Sequence, residues 1–283
     1  MSRNLLVRIA VAVPAIAAAL VALWLGGWAL AALLALLGLL GTWEVFDFAK
    51  RQEIEPLEWL GFIGAALLPL GTYWAKSYAD WEPLVYIGAV WLLLALVVAA
   101  ARGPQRHPLT AVAVTAFAPL YASGLLTFLV AIRHGPHQDA HPRGSIALAV
   151  LPLVVTWVCD TCAMAAGRLV GGAKLAPVLS PNKTWAGAIG GTGGAVIATM
   201  AYGPLVLDRV AFGLPQWQLI VIGFAIALAA QVGDVAESLF KREVGVKDSS
   251  SLVPGHGGVL DRLDSLYFVV PVTAGLFRVF GLA

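Results

Sequence analysis

The chain has 283 residues, of which 60% are hydrophobic and only 12% carry a charge. A soluble globular domain has roughly 25% charged residues, so this composition excludes that class and indicates a membrane protein. The formal net charge of +2 is close to neutral and argues neither for nor against an acidic partner.

Charge-free runs long enough to cross a bilayer recur along the chain. The first extends from Ile9 to Trp43, and Gly26 and Gly27 divide it into two short spans. The later runs, in chain order, are Trp59–Ala75, Pro83–Ala101, His107–Ile132, Ser145–Cys159, Thr184–Leu207, Val210–Gly233 and a last span that begins near Leu263. The predicted fold is all-α, a polytopic bundle of about nine transmembrane helices. We expect a single membrane domain, with N-terminal helices in residues 1–143 and catalytic helices and loops in residues 144–283.

The N-terminal half contains two segments that need a separate interpretation. Arg3 and Arg8 precede an Ala-rich apolar stretch, as in a secretory signal peptide, but the many spans that follow favour an uncleaved first helix. The segment Glu44–Glu58 is mixed in charge and partly amphipathic. It is predicted to connect two helices along the membrane surface.

The distribution of Lys and Arg predicts the orientation of the bundle. With nine predicted spans, the N-terminus and the loops after helices 2, 4, 6 and 8 share one side, which holds thirteen Lys and Arg. The other side holds five, among them Lys76. The positive-inside rule places the thirteen in the cytoplasm. Without the loops after helices 6 and 8, which include basic residues suited to a substrate, the count is six against five.

Two groups of residues resemble metal ligands but have a simpler interpretation. Cys159 and Cys162 form a CxxC with no second Cys or His pair at a matching spacing, so we expect two small residues packed near a helix end. His134, His137 and His141 cluster in the loop after the fifth helix. The Gly and Pro residues beside them favour a flexible polar loop over a metal site.

The segment from Gln231 to Ser265 is unusually charged for its surroundings, with ten Lys, Arg, Asp and Glu residues. Asp234 and Glu237 are three residues apart, as are Asp261 and Asp264, and on a helix such side chains share a face. Two carboxylate pairs beside a membrane suit a hard cation such as Mg²⁺. For one pair alone, ordinary salt bridges at a helix end would be the better explanation.

Cations and glycines in the same segment predict phosphate binding. Lys241, Arg242 and Lys247 can neutralise phosphate oxygens, although cytoplasmic anchoring is the alternative for any one of them. The run Pro254–Gly258 places His256 among glycines. Glycine lets backbone N–H groups approach an anion closely, which makes this run a candidate phosphate loop.

A second polar segment lies between the sixth and seventh predicted helices. It contains Asp160 and Arg168, and it ends in the run Ser180-Pro181-Asn182-Lys183-Thr184. The serine or the asparagine of this run is expected to cap the following helix. A helix N-terminus attracts anions, and Lys183 adds positive charge there, so this segment is the second half of the predicted site.

These residues resemble the signature of the phosphatidate cytidylyltransferase family, also called CDP-diacylglycerol synthases. The C-terminal signature of that family runs S-x-x-K-R-x4-K-D-x5-P-G-H-G-G-x-x-D-R-x-D. It stands complete here as Ser238, Lys241, Arg242, Lys247, Asp248, Pro254–Gly258, Asp261, Arg262 and Asp264. The earlier segment is similar to the family's D-x-x-A-x-x-x-G-R and S-P-x-K-T-W stretches, beginning at Asp160 and Ser180. The N-terminal half matches only in having hydrophobic helices of suitable number.

The resemblance implies an enzyme that transfers the CMP moiety of CTP to phosphatidate and releases pyrophosphate, with Mg²⁺ and room for a second cation. It implies an integral protein of the bacterial inner membrane whose site faces the cytoplasm. The expected partners are CTP, phosphatidate and the lipid bilayer, without nucleic acid, and a homodimer is compatible with the sequence.

The resemblance also implies roles for particular residues. The expected metal ligands are Asp234, Asp261 and Asp264. The expected catalytic residues are Asp234, Lys241, Arg242, Lys247, Asp248, Asp261 and Asp264. The expected substrate-binding residues are Arg168, Ser180, Asn182, Lys183, Thr184, Gly255, His256, Gly257, Gly258 and Arg262. Of these, His256 is expected to bind phosphate or fix the loop rather than act as a base.

Departures from the family pattern bear on the substrate. Met164 stands where a tyrosine is usual, Gly172 where a lysine is common, and Ala186 where Glu or Gln is frequent. None is an expected metal ligand, so an alternative remains: a CTP-dependent cytidylyltransferase or kinase acting on another lipid, such as an ether lipid or a polyprenol. An ion-coupled transporter would place its carboxylates near the bilayer midplane, often in repeated halves, which this sequence does not do.

Overall fold

The structure is a computed structural model that describes residues 3–75 and 81–282, with side chains described for residues 10–75 and 85–282. Lys76, which entered the orientation argument, lies outside the described residues. The helices of the described part are α1 (Arg3–Leu25), α2 (Gly27–Arg51), α3 (Glu58–Ala75), α4 (Trp81–Arg102), α5 (Pro108–Pro119), α6 (Leu125–Arg133), α7 (Pro142–Leu169), α8 (Trp185–Tyr202), α9 (Gln216–Glu243), α10 (Leu260–Leu263) and α11 (Leu266–Val279). The strands are β1 (Lys174–Ala176) and β2 (Ser180–Thr184), which pair antiparallel.

Within the described residues, six helical segments are long and apolar enough to cross a membrane. They are Gly27–Arg51, Val85–Arg102, Pro108–Arg133, Pro142–Leu169, Trp185–Val210 and Gln216–Glu243. The predicted all-α polytopic membrane fold is therefore confirmed. The count of about nine spans stays a prediction, since α1, α3 and α11 are not among these six.

The chain divides into two compact units. Unit 1 comprises Met1–Ala131 and Glu243–Arg262, and unit 2 comprises Ile132–Arg242 and Leu263–Ala283. The predicted single domain and its internal boundary at residue 143 stay predictions. The charged segment near the C-terminus is shared between the units, so each half of the candidate site is built within its own unit.

In unit 1, small residues bring α2 close to α3 and to the π-helical turn that joins α5 to α6. Gly38 lies against Ser123, and Gly61 lies against the ring of Phe46, so that a Cβ at either glycine would overlap its neighbour. The Ser123 hydroxyl, which is fully buried, donates a 2.7 Å hydrogen bond to the carbonyl of Ala65. Close backbone approach thus fixes α2, the helix that carries a site residue at its far end.

The C-terminal part of α2 corrects one prediction. The surface connector expected over Glu44–Glu58 was wrong for its first half, because α2 continues without interruption to Arg51. Glu44 is completely buried, as is Phe46. The amphipathic pattern of this segment arises because one face of the helix packs inside unit 1, while Asp47 and Arg51 form a 2.8 Å ion pair on the other face.

Unit 2 is organised by the packing of α7 against α8. Glycines on α8 let the two helices approach closely: Gly190 lies against Ala166, and Gly194 lies against Cys162. Cys159 and Cys162 are free thiols that pack as predicted, but they lie inside α7, which continues to Leu169, and not near a helix end. The β1–β2 hairpin connects the two helices, and the Thr184 hydroxyl at its end accepts a 3.1 Å hydrogen bond from Gly187 N.

We expect Gly190→Ala to destabilise unit 2, because the added methyl would overlap the Cβ of Ala166. Overpacking of this kind costs about 1–3 kcal/mol. Thermal unfolding of the detergent-solubilised protein should show a lower Tm. Gly193→Ala is the matched control, since nothing lies within 4 Å of a Cβ there and the gain in helix propensity is the same. Equal Tm values for the two variants would contradict the packing argument.

Candidate active site

In unit 1, the signature loop, defined here as residues 247–262, surrounds a cavity of about 430 Å³. Its lining consists of Lys247, Asp248, Ser250, Ser251, Val253, Gly255, His256, Gly257 and Arg262. Six of these residues were predicted as site residues from the sequence. The cavity is lined by two cations and by flexible glycine backbone, which suits a ligand rich in negative charge.

The tip of the signature loop is a tight turn that requires glycine. Val253 N donates to the carbonyl of Gly257 at 2.8 Å, and His256 N donates back to the carbonyl of Val253 at 2.9 Å. Gly255 and Gly257 have φ angles of 77° and 81°, a region that side chains with a Cβ adopt only with strain. The His256 ring nitrogen Nδ1 lies 3.4 Å from the carbonyl of Pro254. The turn therefore sets where the histidine lies along the cavity wall.

Asp261 ties the two ends of the signature loop together. Its side chain is largely buried at the start of α10. The Oδ2 atom accepts hydrogen bonds from Ser249 N at 2.7 Å, from Ser249 Oγ at 2.9 Å and from Gly258 N at 2.8 Å. Hydrogen bonds to a charged acceptor contribute about 1.5–3 kcal/mol each, so this carboxylate has a structural role whether or not it binds a metal.

Glu44, at the buried end of α2, is a second carboxylate that holds the loop. Its Oε1 accepts from Ser250 Oγ at 2.6 Å and from Val259 N at 2.9 Å. Its Oε2 accepts from Ser249 Oγ at 3.0 Å and from Leu260 N at 2.8 Å. Both oxygens of a fully buried carboxylate are thus used by residues of the signature loop.

In unit 2, the predicted cation Lys183 lies on β2 and pairs with Asp234 of α9, with the ammonium nitrogen 2.6 Å from Oδ2. On the same side of the hairpin, Arg242 Nε lies 3.4 Å from the carbonyl of Leu179, to which it donates. Arg168 and Asn182 are exposed, and Ser180 is half-buried. The structure therefore brings Lys183 and Leu179 of the hairpin into contact with the C-terminal half of α9, while the site itself stays a prediction.

Lys241 and Glu237 form an ion pair one helical turn apart on α9. The Glu237 side chain is fully buried and the Lys241 side chain is 12% exposed. A buried pair of this kind is strongly destabilised if one partner is removed, because the other charge then has no compensation. The predicted phosphate ligand Lys241 is therefore also a structural residue of unit 2.

Three carboxylates of unit 2 act on one another electrostatically. Burial, together with the negative charges of Asp234 and Asp160, raises the pKa of Asp264 to about 7, although Ser265 N donates to its Oδ1 at 2.7 Å. A bound cation would favour the charged form of such a group. Within the described parts of the chain, no three His, Cys, Asp or Glu side chains form a group that could hold a metal ion. The ligand set Asp234, Asp261 and Asp264 stays a prediction.

The histidines of the loop before α7 have other contacts. His134 Nδ1 lies 2.6 Å from Gln138 Oε1, and His137 Nε2 lies 3.1 Å from the carbonyl of Gly281. The rings of His137 and His141 both approach the ring of Phe212 edge-on. These contacts give the three histidines a packing role in unit 2.

Comparison with known proteins decides the family. The model of the Cytidylyltransferase family matches residues 6–280. The chain belongs to this family. It is 35% identical over 286 residues to the phosphatidate cytidylyltransferase of Haemophilus influenzae, an alignment that covers 93% of this chain and 95% of the relative.

Two further relatives match over shorter segments. The phosphatidate cytidylyltransferase of Brucella suis is 44% identical over 140 residues, which cover 50% of this chain and 48% of the relative. That of Staphylococcus haemolyticus is 46% identical over 119 residues, which cover 42% of this chain and 44% of the relative. The family resemblance read from the signature is thereby confirmed.

Sequence reasoning missed Glu44 as a residue of this cytidylyltransferase-family site. The available signal was a single carboxylate directly after a charge-free run of more than thirty residues, from Ile9 to Trp43. Its partners lie more than 200 positions away along the chain. Only the fold brings them together.

We expect Gly258→Ala to disorder the signature loop, because a Cβ at Gly258 would overlap Ser249 Oγ and the Glu44 carboxylate. An insertion of this kind costs about 1–3 kcal/mol, which corresponds to amide hydrogen exchange at Ser249 and Val259 that is about fivefold to about 150-fold faster. Gly275→Ala on α11 is the control, since nothing lies within 4 Å of a Cβ there. Unchanged exchange in Gly258→Ala would contradict the close approach.

Proposed function

We propose that this protein transfers the CMP moiety of CTP to phosphatidate, giving CDP-diacylglycerol and pyrophosphate. The observation that carries the proposal is the signature loop, whose cations and glycines line one cavity of about 430 Å³ in unit 1. The family match over residues 6–280 and the name of the relative that aligns over 93% of the chain support the same reaction.

The chemistry explains why the site needs cations rather than a strong base. A lipid phosphate monoester has a second pKa near 6, so at neutral pH it is already a dianionic nucleophile. It attacks the α-phosphorus of CTP, a new P–O bond forms, and the bond to the bridging oxygen breaks as pyrophosphate leaves with the electron pair. The protein must bring two anions together, align them and stabilise the charge on the leaving group.

In unit 1, Lys247 and Arg262 are assigned to the phosphates of CTP. Both line the cavity, and the backbone at Gly255 and Gly257 allows a phosphate to approach closely. Asp248 lines the same cavity, while Gly258 lies buried behind it against Glu44. The signature loop thus supplies the nucleotide-binding part of the site.

In unit 2, Arg168, Ser180, Asn182 and Lys183 are assigned to the lipid phosphate or to pyrophosphate. Lys183 pairs with Asp234 at 2.6 Å, and Lys241 pairs with buried Glu237. An arriving phosphate competes with these carboxylates for the ammonium groups. The ion pairs keep the cations in place before substrate binds, which lowers the reorganisation needed for the reaction.

Mg²⁺ is the proposed cofactor, and in unit 2 Asp234 and Asp264 are assigned as its ligands. Burial, and after it the negative charges of Asp234 and Asp160, raise the pKa of Asp264, and a cation beside these carboxylates would favour its charged form. When bound, the cation would neutralise charge on the phosphate oxygens as a Lewis acid.

The proposed location is the bacterial inner membrane, with the site on the cytoplasmic side. The six long apolar helices support membrane insertion, and the excess of Lys and Arg on one side of the predicted topology supports the orientation. CTP is a cytoplasmic nucleotide, which agrees with this placement.

Label transfer from CTP to lipid tests the reaction. Purified protein with Mg²⁺ and phosphatidate should place the label of α-³²P CTP in the lipid and release pyrophosphate in equal amount. A lipid kinase would instead transfer the label of γ-³²P CTP. An ether-linked phosphatidate and a polyprenyl phosphate serve as competing acceptors. Transfer of the γ-label, or a preference for either competing acceptor, would overturn the proposal.

Asp234→Asn should lower the rate of pyrophosphate release by about 10²-fold or more, because it removes charge from the proposed cation site and the partner of Lys183. Membrane insertion should be unchanged. Asp47→Asn is the control, since that carboxylate forms an exposed ion pair with Arg51 outside the site. Near-normal turnover of Asp234→Asn in detergent would remove Asp234 from the site.

A further inference from the structure

Among the hydrogen bonds described for unit 1, the Glu44 side chain makes contacts with both sides of the glycine turn in the signature loop. Glu44 itself lies outside that loop, on α2. The donors fall into two groups along the chain. Ser249 and Ser250 precede the glycine turn, and Val259 and Leu260 follow it. Between these two attachment points lie Val253, Gly255, His256 and Gly257 of the cavity wall.

The geometry of these four bonds makes Glu44 difficult to replace. Val259 N and Leu260 N donate to different oxygens, at 2.9 Å and 2.8 Å. Neither backbone donor can reverse its role, so both carboxylate oxygens must be acceptors. The site is fully buried, where an unpaired donor is costly. A Gln side chain, which has one oxygen, would leave one backbone N–H without an acceptor.

Ser249 links Glu44 to Asp261. The Ser249 hydroxyl lies 3.0 Å from Glu44 Oε2 and 2.9 Å from Asp261 Oδ2. A hydroxyl carries one proton, so it donates to one carboxylate at a time and holds both at a fixed separation. Gly258 completes this arrangement, since a Cβ there would overlap both Ser249 Oγ and Glu44. Displacing Glu44 would therefore disturb Asp261 as well as the cavity wall.

From these contacts we infer that Glu44 is a positioning residue for nucleotide binding: through α2 it preorganises the signature loop in the conformation that receives the CTP phosphates. This inference rests on the proposed function. Residues 251–257, between the two attachment points, have exposed or half-buried side chains. Their burial therefore does little to order this part of the loop, whereas Val259 and Leu260 are buried. If only a fraction of the molecules have the loop in the binding conformation, the apparent affinity for CTP is reduced in proportion to that fraction.

The test compares Glu44→Gln with wild type in steady-state kinetics and in amide hydrogen exchange. We expect the KM for CTP to rise about tenfold or more, with the KM for phosphatidate changed less than twofold. Exchange at Val259 and Leu260 should accelerate by at least a similar factor, while α7 and α8 keep wild-type exchange. Asp47→Asn, one helical turn away on the exposed face of α2, should leave all of these quantities unchanged.

A second pair of variants covers the case in which Glu44→Gln does not fold. Ser250→Ala removes one donor to Glu44 Oε1, and Ser250→Thr restores a hydroxyl at the same place. The alanine variant should raise the KM for CTP and the threonine variant should recover it. A wild-type KM for CTP in both Glu44→Gln and Ser250→Ala would overturn the inference, as would a loss of kcat with unchanged exchange at Val259 and Leu260.

The two proposals fail in different ways. If wild-type protein does not release pyrophosphate from CTP and phosphatidate, the proposed function is wrong. In that case, comparing amide exchange at Val259 and Leu260 between wild type and Glu44→Gln still shows whether Glu44 orders the loop. Slower exchange of the wild-type loop when CTP is added measures nucleotide binding. Absence of that protection in wild type would overturn the inference as well.

Discussion

The signature loop depends on one fully buried carboxylate, that of Glu44. It accepts from two backbone amides and from Ser250 Oγ, and it shares the Ser249 hydroxyl with Asp261. Glu44 is fully buried on α2, about two turns before the helix ends at Arg51, and an unsatisfied charge there would be strongly destabilising. The hydrogen bonds that it accepts from hydroxyls and two backbone amides offset that cost and fix both sides of residues 251–257, whose side chains are exposed or half-buried. The order of the loop and the stability of α2 are therefore linked, because the Glu44 carboxylate and the buried donors of the loop are each other's hydrogen-bond partners.

Asp261 is connected to Glu44 through Ser249. One oxygen of its side chain accepts three hydrogen bonds from Ser249 and Gly258. These contacts fix the position of the Asp261 side chain within unit 1. The glycines around it serve two purposes: Gly257 permits a left-handed turn, and Gly258 permits close approach of the buried carboxylate.

Unit 2 uses ion pairs where unit 1 uses a buried hydrogen-bond network. Lys183 and Lys241 each pair with a carboxylate on α9, so the two cations that we propose bind phosphate are held with their charges compensated. Asp264 is in the opposite situation, because burial and neighbouring carboxylates disfavour its charge. A site for an anionic substrate and a divalent cation needs both kinds of group, and their charges are partly balanced within the unit.

The fold class and several residues of the candidate site could be predicted from the sequence. Composition and long apolar runs predicted the all-α membrane fold, because the bilayer imposes a length and a polarity on any helix that crosses it. The spacing of Lys247, Asp248, Gly255–Gly257 and Arg262 predicted a common site, since these residues lie within sixteen positions and a short loop must bring them together. Local sequence did not identify the helix cap: the serine and the asparagine of the hairpin were expected there, but Thr184 caps α8 because β2 continues to its last residue.

The sequence by itself determined the class of protein, the family and the loop proposed to bind the nucleotide, because each rests on composition or on residues close together in the chain. Tertiary structure alone decided the role of Glu44, which looked like part of a surface connector. It also decided that Lys183 and Lys241 are engaged with Asp234 and Glu237. Burial and long-range pairing depend on which helices pack together, and contacts that span some 200 positions have no signature in a local pattern.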